Sequence, residues 1–250
     1  MRGQRVSLDP LRALSYIGAG ALLAACPGHH VPPPLVPMAV APANRDSATL
    51  WTRTTLPRAA ALIRFRWRYQ DEQVKYAGRG TARIVPPDSL RFDYAGPLGF
   101  GSGAAVVIGD SVLWADPAKN FRSLVPAIPM LWAAFGMVRP PADDAAVFGA
   151  QLEDSVRQQR RVVWRFVQRD DTLDYVVTDS AGRGSLLEAE WRQRGTVVAR
   201  SRSQLDASAL SPRPVSARVD FPEASGRFEL TVVALDTAAI IPPALWRSRR

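Results

Sequence analysis

The chain has 250 residues, 47% of them hydrophobic, and a formal charge of +9 at pH 7. That is enough apolar material for a substantial core, and it excludes wholesale disorder. All but two of the 32 basic residues are arginine, scattered through strand-like segments with no aromatic-interleaved basic patch. This argues against nucleic acid as a partner, while an anionic lipid surface fits the charge.

The single cysteine, Cys26, and both histidines, His29 and His30, lie in one short N-terminal stretch. The remaining chain offers no disulfide, thiol nucleophile, imidazole base or His/Cys metal ligand. No cofactor, no metal and no catalytic residue is expected, and the chain does not read as an enzyme.

Residues 1–25 read as a lipoprotein signal peptide. Arg2, Arg5 and Arg12 form a basic n-region, and Ala13 to Ala25 is an apolar run of 13, too short to span a bilayer. The run ends in LAAC, which looks like a bacterial lipobox, so Cys26 is the expected lipidation site. Two acyl signals there would anchor the chain to a membrane stably. An Asp after the cysteine would resemble an inner-membrane retention signal. Pro27 stands there instead, which points to the outer membrane, facing the periplasm. Residues 26–45 carry six prolines and read as an extended tether. His29 and His30 read as solvated spacers. Residues 46–250 are then the folded domain.

The first body segment, ALIRFRWRYQ (61–70), alternates without a fault. Ile63, Phe65, Trp67 and Tyr69 face one way, and Arg64, Arg66 and Arg68 the other. That is the period of a half-buried antiparallel strand. Strands are also expected at 73–85, 89–95 and 104–116, the last broken by a turn at Gly109-Asp110. Between them, YAGPLGFGSG (94–103) is a turn that carries two large apolar residues, Leu98 and Phe100. They could tuck into the core or protrude. A helix is expected within 120–141, where Leu131, Trp132, Phe135 and Val138 recur at helical spacing before Pro140-Pro141. A second helix is expected over 143–157, from Phe148, Leu152 and Val156. Strands follow at 161–168, 172–179, 184–193, 196–205, 214–221 and 226–236. Ten or eleven strands at regular spacing mark a mainly β protein, a sandwich or a barrel. A transmembrane barrel is excluded, since the first strand would place three arginines in lipid at about 2–4 kcal/mol each.

Two enzyme motifs are weak. Ser102 lies between glycines but lacks the G-x-S-x-G spacing. Glu188 and Glu190 share a strand face, which is expected to be solvated.

The segment GRGTARIVPPDSLRFDYAGPLG (78–99) resembles the LolA/LolB-like superfamily of bacterial lipoprotein carriers and receptors, and is closest to LolB-type outer-membrane lipoproteins. The stretch from Pro126 to Gly136 around Leu131-Trp132 and the late strand pair PVSARVDF and GRFELTV continue the likeness, which covers residues 60–236. The resemblance implies an open, half-closed antiparallel barrel capped by one or two helices, around an apolar cavity for acyl chains. Candidate lining residues are Phe65, Trp67, Phe92, Tyr94, Trp114, Trp132, Phe135, Trp164 and Phe166, although such stripes are equally the mark of a core. The resemblance also implies that Leu98, with Phe100, is a membrane-contacting finger. The implied partners are acyl chains of lipoproteins or lipids, the membrane through the anchor, and a periplasmic lipoprotein carrier. The protein itself is expected to be a monomer. The alternative is a passive envelope scaffold with a dry core and a protein partner.

Overall fold

A computed structural model describes residues 33–36, 39–97, 101–118, 127–156, 158–180, 184–206 and 213–247. Cys26, the expected lipidation site, and Leu98 and Phe100, the expected finger, lie outside the described residues. Residues Pro33–Arg250 form one compact unit.

That unit is a single antiparallel sheet of 13 strands, and it does not close into a barrel. In chain order the strands are β1 (Ala41–Pro42), β2 (Ala61–Gln70), β3 (Lys75–Val85), β4 (Ser89–Ala95), β5 (Gly103–Ile108), β6 (Ser111–Asp116) and β7 (Ala146–Asp154). They continue with β8 (Gln159–Gln168), β9 (Asp171–Ser180), β10 (Gly184–Gln193), β11 (Thr196–Asp206), β12 (Arg213–Phe221) and β13 (Gly226–Asp236). The spatial order is β1-β7-β8-β9-β10-β11-β12-β13-β2-β3-β4-β5-β6, so nearly every strand pairs with its chain neighbour. The join is β13 to β2, which brings the late strands against the first long one.

The alternation expected in 61–70 is realised. Ala61, Ile63, Phe65, Trp67 and Tyr69 are buried, and Arg64, Arg66, Arg68 and Gln70 are exposed. The inner face is covered by a short helix, α2 (Ile128–Ala134), and by Phe135–Val138, all buried except the half-buried Ile128 and Pro129. Phe135 touches Phe65 on β2 and Phe92 on β4, at ring separations of 5.7 and 6.2 Å. On the other side, Ser203 on β11 donates a 2.6 Å hydrogen bond to the carbonyl of Ala133. One short segment therefore meets strands at both ends of the row from β11 to β4, so the sheet must curl around it.

The curl has a local cause in β3. Gly78 and Gly80 stand opposite Trp67 and Phe65 in the β2–β3 register. A Cβ on Gly80 would lie 2.3 Å from the Phe65 ring, and one on Gly78 only 2.0 Å from the Ala95 carbonyl oxygen. The bare glycines let the Phe65 and Trp67 rings lie close over the strand.

Four expectations need correction. The strand count rises to 13 because β1 and β7 were not foreseen. The helix expected over 143–157 is strand β7. Phe148 and Leu152 recur every four residues, and four is also a multiple of the strand period, so both share one face of β7 as well. Pairing with β8 on one side and β1 on the other decides the matter. The helix within 120–141 is, among the described residues, only Ile128–Ala134. It ends at Gly136, whose φ of +79° suits glycine alone. An unforeseen helix, α1 (Arg45–Thr54), opens the body, with the Asn44 side chain accepting from the Asp46 and Ser47 amides.

The fourth correction concerns the tether. Within the proline-rich segment, Pro33–Val36 packs on the sheet. Val36 is 4% exposed and packs with Val163 and Val176 on the outer face of β8 and β9.

Candidate functional site

The inner face gathers most of the residues expected to line a cavity. Phe65, Trp67, Phe92, Tyr94, Trp132, Phe135 and Phe166 all point into it and are at most 5% exposed. They pack on one another: Phe65 on Phe92 at 5.4 Å, Trp67 on Tyr94 at 6.0 Å, Phe166 on Tyr175 at 5.6 Å. Trp164 is half-buried beneath Trp51 of α1 at 5.8 Å. Trp114 is the exception. It stands directly across β5 from Arg91 on the outer face, with the guanidinium 5.3 Å from its ring centroid. Its indole N–H donates to the carbonyl of Trp246, so Trp114 holds the C-terminal turn Pro243–Trp246 and lines no inner cavity.

Trp132 ties α2 to the turn between β5 and β6, its indole N–H donating 2.9 Å to the Gly109 carbonyl. Arg139 lies over the Trp132 ring at 5.4 Å and reaches Asp110 at 3.5 Å and the Pro87 carbonyl at 3.1 Å. The helix and two loop tips are thus fastened together at one end of the inner face.

Further along the inner face a single cross-strand row runs Trp164, Tyr175, Ala189, Ser201. Its three polar atoms, the Trp164 indole nitrogen, the Tyr175 hydroxyl and the Ser201 hydroxyl, are buried and have no hydrogen-bond partner among the described residues. Burial, and then the negative charge of Asp110, push the Tyr175 phenol well above its usual range. Buried polar groups are nearly always paired, so three orphans in one row mark an interior that the described side chains do not complete.

The outer face carries structure that sequence reading missed. Arg165, Asp174, Glu190 and Arg200 are directly opposite one another across β8, β9, β10 and β11. Asp174 and Glu190 have side chains 0% exposed, which corrects the expectation that Glu190 faces solvent. Asp174 takes a two-pronged pair from Arg165, at 2.6 and 3.0 Å, and a third contact from Arg192 at 2.6 Å. Glu190 accepts from Arg200 at 2.5 Å and lies 3.2 Å from Arg192. Asp174 holds the Arg165 guanidinium even further toward its charged form.

This network grips the backbone of the former tether. The Leu35 amide donates 3.1 Å to Glu190, Arg165 donates 2.9 Å to the Val36 carbonyl, and Arg200 donates to the Pro33 carbonyl. The sequence signal was a charge at one outward position on each of four strands. Which charge meets which depends on register, and no single strand displays that. Glu188, the other half of the carboxylate pair, is half-buried and 3.8 Å from Arg202. Among the described residues no group of His, Cys, Asp and Glu could hold a metal ion, and no helix is long and apolar enough to cross a membrane.

An open antiparallel sheet curled around a short buried helix, with an aromatic inner face, defines a half-barrel architecture. Comparison with solved structures places this one. A LolA superfamily protein from Nitrosomonas europaea superimposes with a TM-score of 0.55 at 11% identity, over 84% of this chain and 99% of that one. A protein domain described as outer-membrane lipoprotein-sorting, from Vibrio parahaemolyticus, gives a TM-score of 0.50 at 10% identity, over 82% of this chain and all of that one. The chain shares its fold with these two proteins. No family model matches the chain, and no curated protein matches it in sequence.

Proposed function

We propose that this protein is a lipid-anchored envelope protein that holds acyl chains on the inner face of its half-barrel and helps deliver lipoproteins or lipids into the outer membrane. The observation that carries this reading is the inner face itself: a curled apolar surface in which one row leaves three buried polar atoms without a partner among the described residues. An acyl chain lying against the aromatics would place its ester, amide or carboxyl end within reach of that row. The LolA-type fold supports the same reading, since a neighbour of that fold is described as lipoprotein-sorting. Lipidation at Cys26, a periplasm-facing outer-membrane position, and a membrane-touching role for Leu98 and Phe100 complete the proposal. Burying that Leu and Phe at the acyl boundary would gain about 1.5–3 kcal/mol each, weak enough to reverse.

The tight ring packing of Phe65, Phe92 and Phe135 favours a second reading for that end of the interior, a dry core in a scaffold protein. Extraction of the protein purified from its native envelope, followed by mass spectrometry, separates the two. Co-purifying acyl lipid at near-stoichiometric amount is expected, and a lipid-free protein that binds no fatty acid points to the scaffold. The same spectra check the anchor: a diacylated Cys26 peptide is expected.

A further inference from the structure

The outer face of the sheet is covered in two places by the chain's own segments. Pro33–Val36 lies on β8 to β11, and Pro243–Trp246 lies on β4 to β6. Between them the outer surface of β2, β3 and β13 is bare among the described residues.

Charge is handled differently there. Around the middle of that surface cations meet anions, on β12, β13 and the far end of β3 as well as beneath the covering segments. Asp93 is held by Arg83 and Arg91, Asp174 by Arg165 and Arg192, and Asp220 by Arg218 and Arg227. On β2 and β3, Arg64, Arg66, Arg68 and Arg79 are all exposed, and none has a carboxylate within ion-pair distance among the described residues. Arg66 and Arg79 are direct cross-strand partners. Like charges so placed are destabilising unless a counter-charge joins them.

Arg64, Arg66 and Arg79 border a groove of about 580 Å³, beside Thr81, Ala95, Val233 and an Asp93 already neutralised by Arg83 and Arg91. Val233 is 62% exposed, at an irregularity in the pairing of β13 with β2 that falls between Val232 and Ala234. We propose that this groove docks on an anionic bilayer, its guanidiniums taking lipid phosphates and Val233 resting against the headgroup boundary. Guanidinium forks match phosphate oxygens in geometry and charge. Arg64, Arg66 and Arg68 recur every second residue on one strand, so they span roughly 13 Å, more than one small ion can bridge. The spacing suits an array of headgroups. Phe65 and Tyr94 of the inner face also border the groove, but the arginines that carry this proposal lie outside that face, so their variants test it apart from the acyl-chain reading.

The test is flotation of the full chain with vesicles of phosphatidylcholine alone or with one third phosphatidylglycerol, at low and high salt. The expected result is binding that rises with phosphatidylglycerol and falls with salt. In Arg66→Ala/Arg79→Ala the phosphatidylglycerol-dependent part should fall about tenfold or more, while binding to phosphatidylcholine alone stays the same. A control, Arg218→Ala/Arg227→Ala, removes equal charge outside the groove and should stay within about twofold of the parent. Equal loss in both doubles, or full phosphatidylglycerol dependence in Arg66→Ala/Arg79→Ala, overturns the proposal. It is also overturned if binding ignores phosphatidylglycerol, including the case where inorganic phosphate raises the melting temperature of the parent and not of the double variant. In that case the groove takes a free anion instead. All four positions are exposed, and a circular dichroism melt confirms that each variant is folded.

Discussion

Tyr175 is wholly buried, and its hydroxyl has no partner among the described residues. Such a hydroxyl has lost its water and gained nothing, so its removal should not harm the fold. Tyr175→Phe should melt at or slightly above the parent temperature. The same residue sets a pH limit. Burial and then Asp110 raise its folded phenol above the unfolded value near 10. The neutral form is the one the fold keeps, so this contribution is intact below about pH 10 and is lost as pH rises beyond it. Urea titrations between neutral and strongly alkaline pH should therefore show a steeper alkaline loss in the parent than in Tyr175→Phe. If the inner row serves a ligand, the same variant should bind fatty acid several-fold more weakly, at undiminished stability. On the outer face the logic reverses. Asp174 is fully buried among guanidiniums, so Asp174→Ala leaves buried positive charge uncompensated. It should cost about 3–5 kcal/mol, read as a large drop in melting temperature. A small drop would mean that the network is solvated.

At the scale of elements, two features decide the shape of the unit. The first is β3, whose glycines accept rings from β2. Gly78→Ala would drive a Cβ into the backbone carbonyl of Ala95, where nothing flexible can yield. A loss of about 1–3 kcal/mol or more is expected by chemical denaturation, whereas Gly101→Ala, with open space around its Cβ, meets only the strain of its φ of +70°. The second is the strap Pro33–Val36. Its sequence reads as a free polyproline tether because composition reports what a segment prefers alone. The charges that hold it lie on β8, β10 and β11, well over a hundred residues away. β2 was legible because its alternation is local and complete. β7 was not, because a four-residue recurrence fits both a helix and a strand and only its partners choose. Trp114 was misplaced because the register shift between β5 and β6 sets its side, and that shift has no sequence mark.

At the scale of the molecule, the fold was legible from turn spacing and from the Gly-rich, Leu-Arg-Phe and Pro-Leu-Gly text that carries the resemblance. The inner face was legible in part: seven of the nine expected aromatics are buried in it, Trp164 is half-buried at its edge, and Trp114 is outside. The polar row was not legible, since Tyr175 and Ser201 are brought to either side of Ala189 only through the register of two strand pairs. The central claim is that the inner face takes an acyl chain. Titration of the protein beginning at Pro33, the start of the compact unit, with a fluorescent fatty acid measures this most directly. Saturable binding at one site is expected, displaced by unlabelled fatty acid and weakened by Tyr175→Phe. No saturable binding, by a protein that melts cooperatively, would contradict it.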